Sequence, residues 1–252
     1  MKEILNQIPK RTSKTRESGL TMVMDKGLSL RQAEDFLVSN HEHTDIIKLG
    51  FGTSIITPNV TQKIKLYQQN GMLVYAGGTL FEAFAIRNQF DDYKNYLNDL
   101  GLTMVEISDG SISISHESKC NIIRDFSKDF QVISEVGSKD ASVEISSNNW
   151  IRFMRDELSA GSWKVIAEAR EGGNVGVFND DGGIKSELIN NITKQIKNEN
   201  IIWEAPKKDQ QIWFINSFGS NVNLGNIAPN DVIPLECLRL GLRSDTFDNF
   251  LS

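Results

Sequence analysis

Four short apolar runs in this 252-residue chain each end in a glutamate: Met104-Val105-Glu106, Val132-Ile133-Ser134-Glu135, Val165-Ile166-Ala167-Glu168 and Ile201-Ile202-Trp203-Glu204. A buried strand needs only apolar residues, and an ionised glutamate is rarely buried without a partner. Carboxylates at the ends of successive strands therefore call for a shared cation or cationic ligand. Lys48, Lys139 and Arg170 fall at comparable strand-end positions. Such a mixture suits an anionic substrate held by Lys and Arg with the help of a divalent cation. Mg²⁺ takes only one or two protein carboxylates and keeps water or substrate oxygens for the rest, so some of these glutamates are expected to pair with lysines instead.

Strand-like runs alternate with helix-like segments along the whole chain. Eight runs read as strands: 20–25, 45–49, 72–76, 103–107, 131–136, 164–169, 200–204 and 221–224. Alternation of this kind predicts a parallel sheet, and eight β/α units at this length predict a single closed (β/α)8 TIM barrel over residues 1–252, with 1–19 as a lead-in. A doubly wound open sheet gives the same alternating signal and is the alternative. Ser29 with Gln32 and Thr79 with Glu82 have capping-box spacing. Gly71, Gly101 and Gly161 stand where helices should stop.

A barrel builds its active site from the loops at the carboxyl ends of its strands. In chain order those ends carry Asp25-Lys26-Gly27, Lys48-Leu49-Gly50, Gly77-Gly78-Thr79, Glu106 with Asp109, Glu135 with Lys139, Glu168 with Arg170, Glu204 with Lys207 and Lys208, and Asn223. Gly50 to Ser54, Gly77 to Thr79 and Gly219 to Asn226 are turns whose N–H groups suit a phosphate, and barrel precedent favours the last. None is a P-loop.

Composition limits the partners. A net charge of −6 argues against a nucleic-acid surface. No apolar stretch approaches bilayer-spanning length, and residues 1–19 lack the apolar core of a signal peptide, so no membrane partner and a cytoplasmic location are expected. Cys120 and Cys237 lie in helical segments without metal-ligand spacing and read as reduced. His41, His43 and His116 have no convincing metal partner, and no Ser-His-Asp arrangement can be argued. The tryptophans read as packing, with Trp203 adjacent to the site through Glu204.

Taken in order, Asp25-Lys26-Gly27, Lys48-Leu49-Gly50-Phe51-Gly52-Thr53-Ser54, Gly77-Gly78-Thr79-Leu80-Phe81-Glu82, Glu106-Ile107-Ser108-Asp109-Gly110 and Ser134-Glu135-Val136-Gly137-Ser138-Lys139 resemble the phosphosulfolactate synthase family. The likeness continues through Glu168-Ala169-Arg170, Trp203-Glu204-Ala205-Pro206, residues 219–226 and 240–246. It spans about Ile8 to Phe247. The resemblance implies a TIM barrel that adds sulfite to phosphoenolpyruvate with Mg²⁺, giving 2-phospho-3-sulfolactate, the first step of one route to coenzyme M. It also implies a homo-oligomer.

In that chemistry sulfite attacks C3, charge develops on the carboxylate as an ene-diolate, and C2 is then protonated; a metal on the carboxylate would stabilise the charge. Position and charge then suggest roles. Lys139 is the first candidate for the proton donor and Lys48 the second, through a pKa lowered by neighbouring cations and partial burial. An ion pair with Glu106 or Glu135 is the competing role. Glu106, Glu135 and Glu168 form the candidate Mg²⁺ pool. Arg170, Asn223, Gly225 and Asn226 are candidates for phosphate, and Lys26 or Arg16 for sulfite. Relatives of the family associated with plant heat stress suggest a rival, a barrel that binds protein partners in thermotolerance. A barrel enzyme acting on another phosphorylated enol or keto acid is the third reading.

Overall fold

The computed structural model describes residues 5–138, 145–170 and 172–251. Eight strands run through it: β1 (Thr21–Asp25), β2 (Ile46–Leu49), β3 (Leu73–Ala76), β4 (Met104–Ile107), β5 (Gln131–Val136), β6 (Ser162–Ala167), β7 (Ile201–Glu204) and β8 (Leu224–Ile227). Helix α1 (Leu30–Asn40) follows β1; α2 (Thr53–Ile56) and α3 (Val60–Gln69) follow β2; α4 (Gly78–Ala85) and α5 (Phe90–Asp99) follow β3. The later strands are followed in turn by α6 (His116–Phe126), α7 (Ser147–Ala160), α8 (Ser186–Thr193), α9 (Lys208–Phe218) and α10 (Val232–Arg239). All pairings are parallel, in the order β3-β2-β1-β8-β7-β6-β5-β4, and β3 and β4 at the two ends of that order lie side by side. The result is a nearly closed TIM barrel ringed by helices. No described helix is long and apolar enough to cross a membrane.

The period of two along each strand separates two cores. Outward residues such as Val23, Ile47, Val105 and Trp203 pack against the helices. Inward residues Met22, Ile46, Tyr75, Met104, Ile133, Ile166 and Ile202 fill the barrel. Gly225 is the corresponding position of β8, where a β-carbon would run into Met22 and Ile202. One further step of two along the strands, the inward layer changes from apolar to charged: Lys48, Glu106, Glu135, Glu168 and Glu204. The apolar layer is the floor of the site and the charged layer is its wall.

Local signals agree with most of the expected boundaries. Ser29 and Gln32 form a reciprocal capping box on α1. Gly71, Gly101 and Gly161 all take positive φ where helices end. Two expectations fail. Thr79 lies inside α4, whose N-cap is Gly77, and Glu82 accepts a hydrogen bond from Ser108 Oγ (2.6 Å) instead of closing a box. The last strand begins at Leu224 rather than 221, so Asn221 and Asn223 precede it at the amino-terminal end of the barrel.

That end is covered by the segment before β1. Lys14 Nζ donates to three main-chain carbonyls, those of His41 (2.6 Å), Thr44 (2.8 Å) and Asn70 (3.2 Å). Arg11 bonds Glu236 Oε1 (2.9 Å) and the Ser220 carbonyl (2.8 Å). Arg16, a sequence candidate for sulfite, also lies here, with Nε 3.5 Å from Asp45 Oδ1. This is the opposite end from the glutamates.

Candidate active site

The charged layer opens into a cavity of about 430 Å³ at the carboxyl ends of the strands, lined by Lys48, Glu106, Glu135, Glu168 and Glu204, with Met24, Phe51, Gly78, Thr79, Arg170, Gly172, Asn174 and Asn226 around them. All four glutamates are buried and stand at the carboxyl ends of four successive strands, β4 to β7, Glu168 one residue past β6. Lys48 reaches across from β2. Its ammonium lies 3.1 Å from Glu106 Oε2, 3.3 Å from Glu204 Oε1 and 3.4 Å from Glu135 Oε2.

Burial alone would push the Lys48 pKa down, yet Glu106, Glu204 and the other neighbours outweigh it and raise the pKa well above that of an ordinary lysine. Of the two roles left open for this lysine, the ion pair is the one found: carboxylates, not cations, surround Lys48, and it holds its proton at neutral pH. Glu204 is raised, by burial first and also by Glu135, against the lowering pull of Lys48. Tyr75, on the floor, is raised by burial and by Glu106 and stays protonated.

Main-chain groups fix the glutamates individually. Gly78 N donates to Glu106 Oε1 (2.8 Å), and a β-carbon at Gly78 would collide with that oxygen and with Ser108. Ala169 N donates to Glu204 Oε2 (2.9 Å), and Arg170 N to Glu168 Oε1 (2.5 Å). Gly176, at φ +62°, brings its backbone so close to the Glu168 carbonyl that no side chain fits there. Gln210 of α9 ties down the connection that follows, donating to the carbonyls of Gly173 (2.8 Å) and Gly182 (3.4 Å).

Among the described residues, Glu135, Glu168 and Glu204 form one group whose carboxylate oxygens all lie within 4.8 Å of one another. Clustered hard oxygen donors fit Mg²⁺. Among the described residues, four carboxyl groups in this layer face two cationic side chains, Lys48 and Arg170, which leaves room electrostatically for a divalent ion. The group differs from the sequence expectation by one residue. Glu106 stands outside it, held by Gly78 N and Lys48, and Glu204 takes its place.

The remaining candidates divide between the two ends of the barrel. Arg170 lines the cavity at φ +57°, and so does Asn226 at φ +56°, whose buried Oδ1 has no hydrogen-bond partner among the described residues. Lys26 is exposed on the rim beside Gly50 and does not line the cavity. Asn223 is at the wrong end for phosphate: its side chain accepts from Leu20 N (3.0 Å) and donates to the carbonyls of Glu199 and Ile201 (both 3.0 Å). Gly225 is packed inside the barrel, as described above. Lys139 lies outside the described residues. Trp203 faces outward and stacks on Phe214 with ring centroids 5.2 Å apart. Asn174 had no sequence signal, because nothing local marks it as facing the mouth. Gly78 was visible as part of a glycine turn, though its contact with Glu106 was not.

Parallel strands closed into a barrel, with a buried carboxylate layer at their carboxyl ends, define a TIM-barrel enzyme by architecture and site. Among solved structures the chain is similar to 3-hexulose-6-phosphate synthase from Salmonella typhimurium (TM-score 0.51, 15% identity, covering 91% of this chain and 94% of that one). It is also similar to 3-keto-L-gulonate-6-phosphate decarboxylase from Vibrio cholerae (TM-score 0.54, 9% identity, 93% and 100%). At these identities the likeness is one of fold. The model of the (2R)-phospho-3-sulfolactate synthase (ComA) family matches residues 9–245. The phosphosulfolactate synthase of Bacillus subtilis strain 168 is 38% identical over 250 residues, 98% of this chain and 99% of that protein. That of Methanocaldococcus jannaschii is 42% identical over 238 residues, 92% and 94%. The chain belongs to the phosphosulfolactate synthase family.

Proposed function

We propose that this enzyme joins sulfite to C3 of phosphoenolpyruvate to give 2-phospho-3-sulfolactate. The observation that carries the reading is the Glu135, Glu168 and Glu204 group beside Lys48 at the mouth of a barrel that belongs to this family. Both substrates are anions, and among the described residues the mouth holds more carboxylates than ammonium or guanidinium groups, so a divalent cation would favour their binding. Mg²⁺ held by Glu135, Glu168 and Glu204 would supply positive charge for the substrate carboxylate as electron density moves onto it.

The chain's own residues have separate tasks. Lys48, fixed as an ammonium, orients Glu106, Glu135 and Glu204 and adds its charge to the same region. Arg170 and Asn226 meet the phosphoryl group from the β6 and β8 side. The sulfur lone pair of sulfite forms the C3–S bond, the electrons of the C2–C3 double bond move toward the carboxylate, and a proton added to C2 completes the product. Lys139 is the proposed donor, since Lys48 with its raised pKa is a poor acid at neutral pH. Small anions are thus the proposed partners, and a homo-oligomer is proposed on the family resemblance. Purified protein with phosphoenolpyruvate, sulfite and Mg²⁺ should form a sulfonated product, detectable by mass spectrometry. Glu135→Gln should lower kcat about 100-fold if it removes a group on which transition-state charge depends. No sulfonated product from the wild type, with or without Mg²⁺, sinks the reading.

A further inference from the structure

Outside the barrel wall, behind the mouth, lies a second set of charges that the reaction does not use, with Lys119 and Glu157 buried and Asp109 partly exposed. Lys119, on α6, is 1% exposed and points toward the strands. Its ammonium donates to Asp109 Oδ1 (2.8 Å), lies 2.9 Å from Glu157 Oε1 and donates to the main-chain carbonyl of Glu135 (2.6 Å). Asp109 follows β4, Glu157 is on α7 and Glu135 is near the end of β5. One side chain therefore links four consecutive elements at the point where two of them deliver glutamates to the mouth.

We propose that Lys119 is a positioning residue: held by Asp109 and Glu157, it fixes the Glu135 carbonyl from outside and so aims the Glu135 carboxylate at Lys48 inside. The geometry is that of a strand gripped from both faces. Alternation sends the Glu135 side chain into the barrel, where it meets Lys48 at 3.4 Å, while the carbonyl of the same residue takes the bond from Lys119. A rotation of this peptide would swing the carboxylate. Pairing with β6 still holds Glu135 opposite Ile166, but the ladder with β4 ends one residue earlier, at Ser134 opposite Ile107, and on that side Lys119 holds the Glu135 carbonyl. Two acids beside one ammonium make an unusually firm anchor for a main-chain oxygen. Helix α1's side of the barrel has a parallel arrangement, in which Lys63 on α3 bonds Asp25 Oδ2 (2.7 Å) and the Leu28 carbonyl (2.7 Å), but that loop brings no glutamate to the mouth.

The inference rests on the mouth being the active site, and its test has two arms. Lys119→Met is compared with wild type for kcat per folded molecule and for the position of Glu135 in a crystal structure. The expected result is a loss of about 100-fold in kcat, with both KM values nearly held, since a misplacement of about 1 Å is enough for such a loss. The Glu135 carboxylate should move by more than about 0.5 Å from its place beside Lys48. Unchanged kcat, or an unmoved Glu135, overturns the proposal. If Lys119→Met does not fold, Glu157→Gln takes its place in both arms, with an expected loss of about 10-fold. Should the wild type itself fail to turn over phosphoenolpyruvate and sulfite, the proposed reaction falls and the crystallographic arm decides this inference alone.

Discussion

At the level of single residues, the site depends on one buried ammonium among carboxylates. Lys48 is 6% exposed and has three glutamates within 3.4 Å. Removing one partner of a buried ion pair leaves the others uncompensated, at a loss of roughly 3–5 kcal/mol. Lys48→Met should therefore unfold at clearly lower denaturant concentration than wild type at pH 8. The sign of the pH effect follows from the acids. Without the lysine, Glu204, already raised by burial and by Glu135, loses the charge that lowers it, so the variant's stability is retained at low pH and lost as pH rises through the folded value. The gap from wild type should narrow at pH 5. Added Mg²⁺ should narrow it at pH 8 as well, by binding the folded state alone. A gap independent of both pH and Mg²⁺ would show that Lys48 serves packing rather than charge balance.

Between elements, the α6–α7 contact carries a proton-linked group. Burial pushes the Glu157 carboxyl up to about 7, despite the lowering effect of Lys119. Ser134 and Asp109 also face it, His116 Nδ1 lies 3.8 Å from it, and Asp156 precedes it on the same helix. A carboxyl whose folded pKa exceeds its unfolded value stabilises the fold fully below the unfolded value. That contribution is lost as pH rises through the folded one. Wild type should therefore lose stability relative to Glu157→Gln between about pH 4.5 and 7, by at most about 1.4 kcal/mol per pH unit. Chemical denaturation of both proteins across that window measures it. The last strand makes a separate prediction. Asn223 bonds Leu20, Glu199 and Ile201 at the amino-terminal end, so Asn223→Ala should lose about 1–3 kcal/mol of stability while kcat per folded molecule is unchanged. A rise in the KM for phosphoenolpyruvate would restore Asn223 to the phosphate site.

Across the whole molecule, the barrel separates stability from chemistry, with the site at one end and the covering segment at the other. Lys14 illustrates the far end. Its ammonium caps three carbonyls, and although burial lowers its pKa, Asp45 and Glu42 partly offset that effect. Lys14→Met should lower the unfolding free energy by about 1–3 kcal/mol and leave kcat as it was, read from denaturation and steady-state assays together.

The barrel was legible because its signals are local. Most strands are short apolar runs, Gly71, Gly101 and Gly161 mark helix stops, and repetition of the unit leaves few other architectures. The carboxylate layer was legible for the same reason, since a period of two puts Glu106, Glu135, Glu168 and Glu204 on the inward face whenever Met104, Ile133, Ile166 and Ile202 are there. The eighth strand was the exception. Leu224-Gly225-Asn226-Ile227 sets a glycine and an asparagine between its two apolar residues and lacks the continuous apolar run of the other strands, so the strand was expected over 221–224 and Asn223 was assigned to the wrong end. Sequence alone thus determined which residues could meet. Only the tertiary structure decided which did: Glu204 rather than Glu106 joins the carboxylate group, Lys48 sits among acids rather than cations, and Lys119 reaches the back of β5. Those outcomes depend on distances across the barrel between strands far apart in the chain, and no local pattern encodes them.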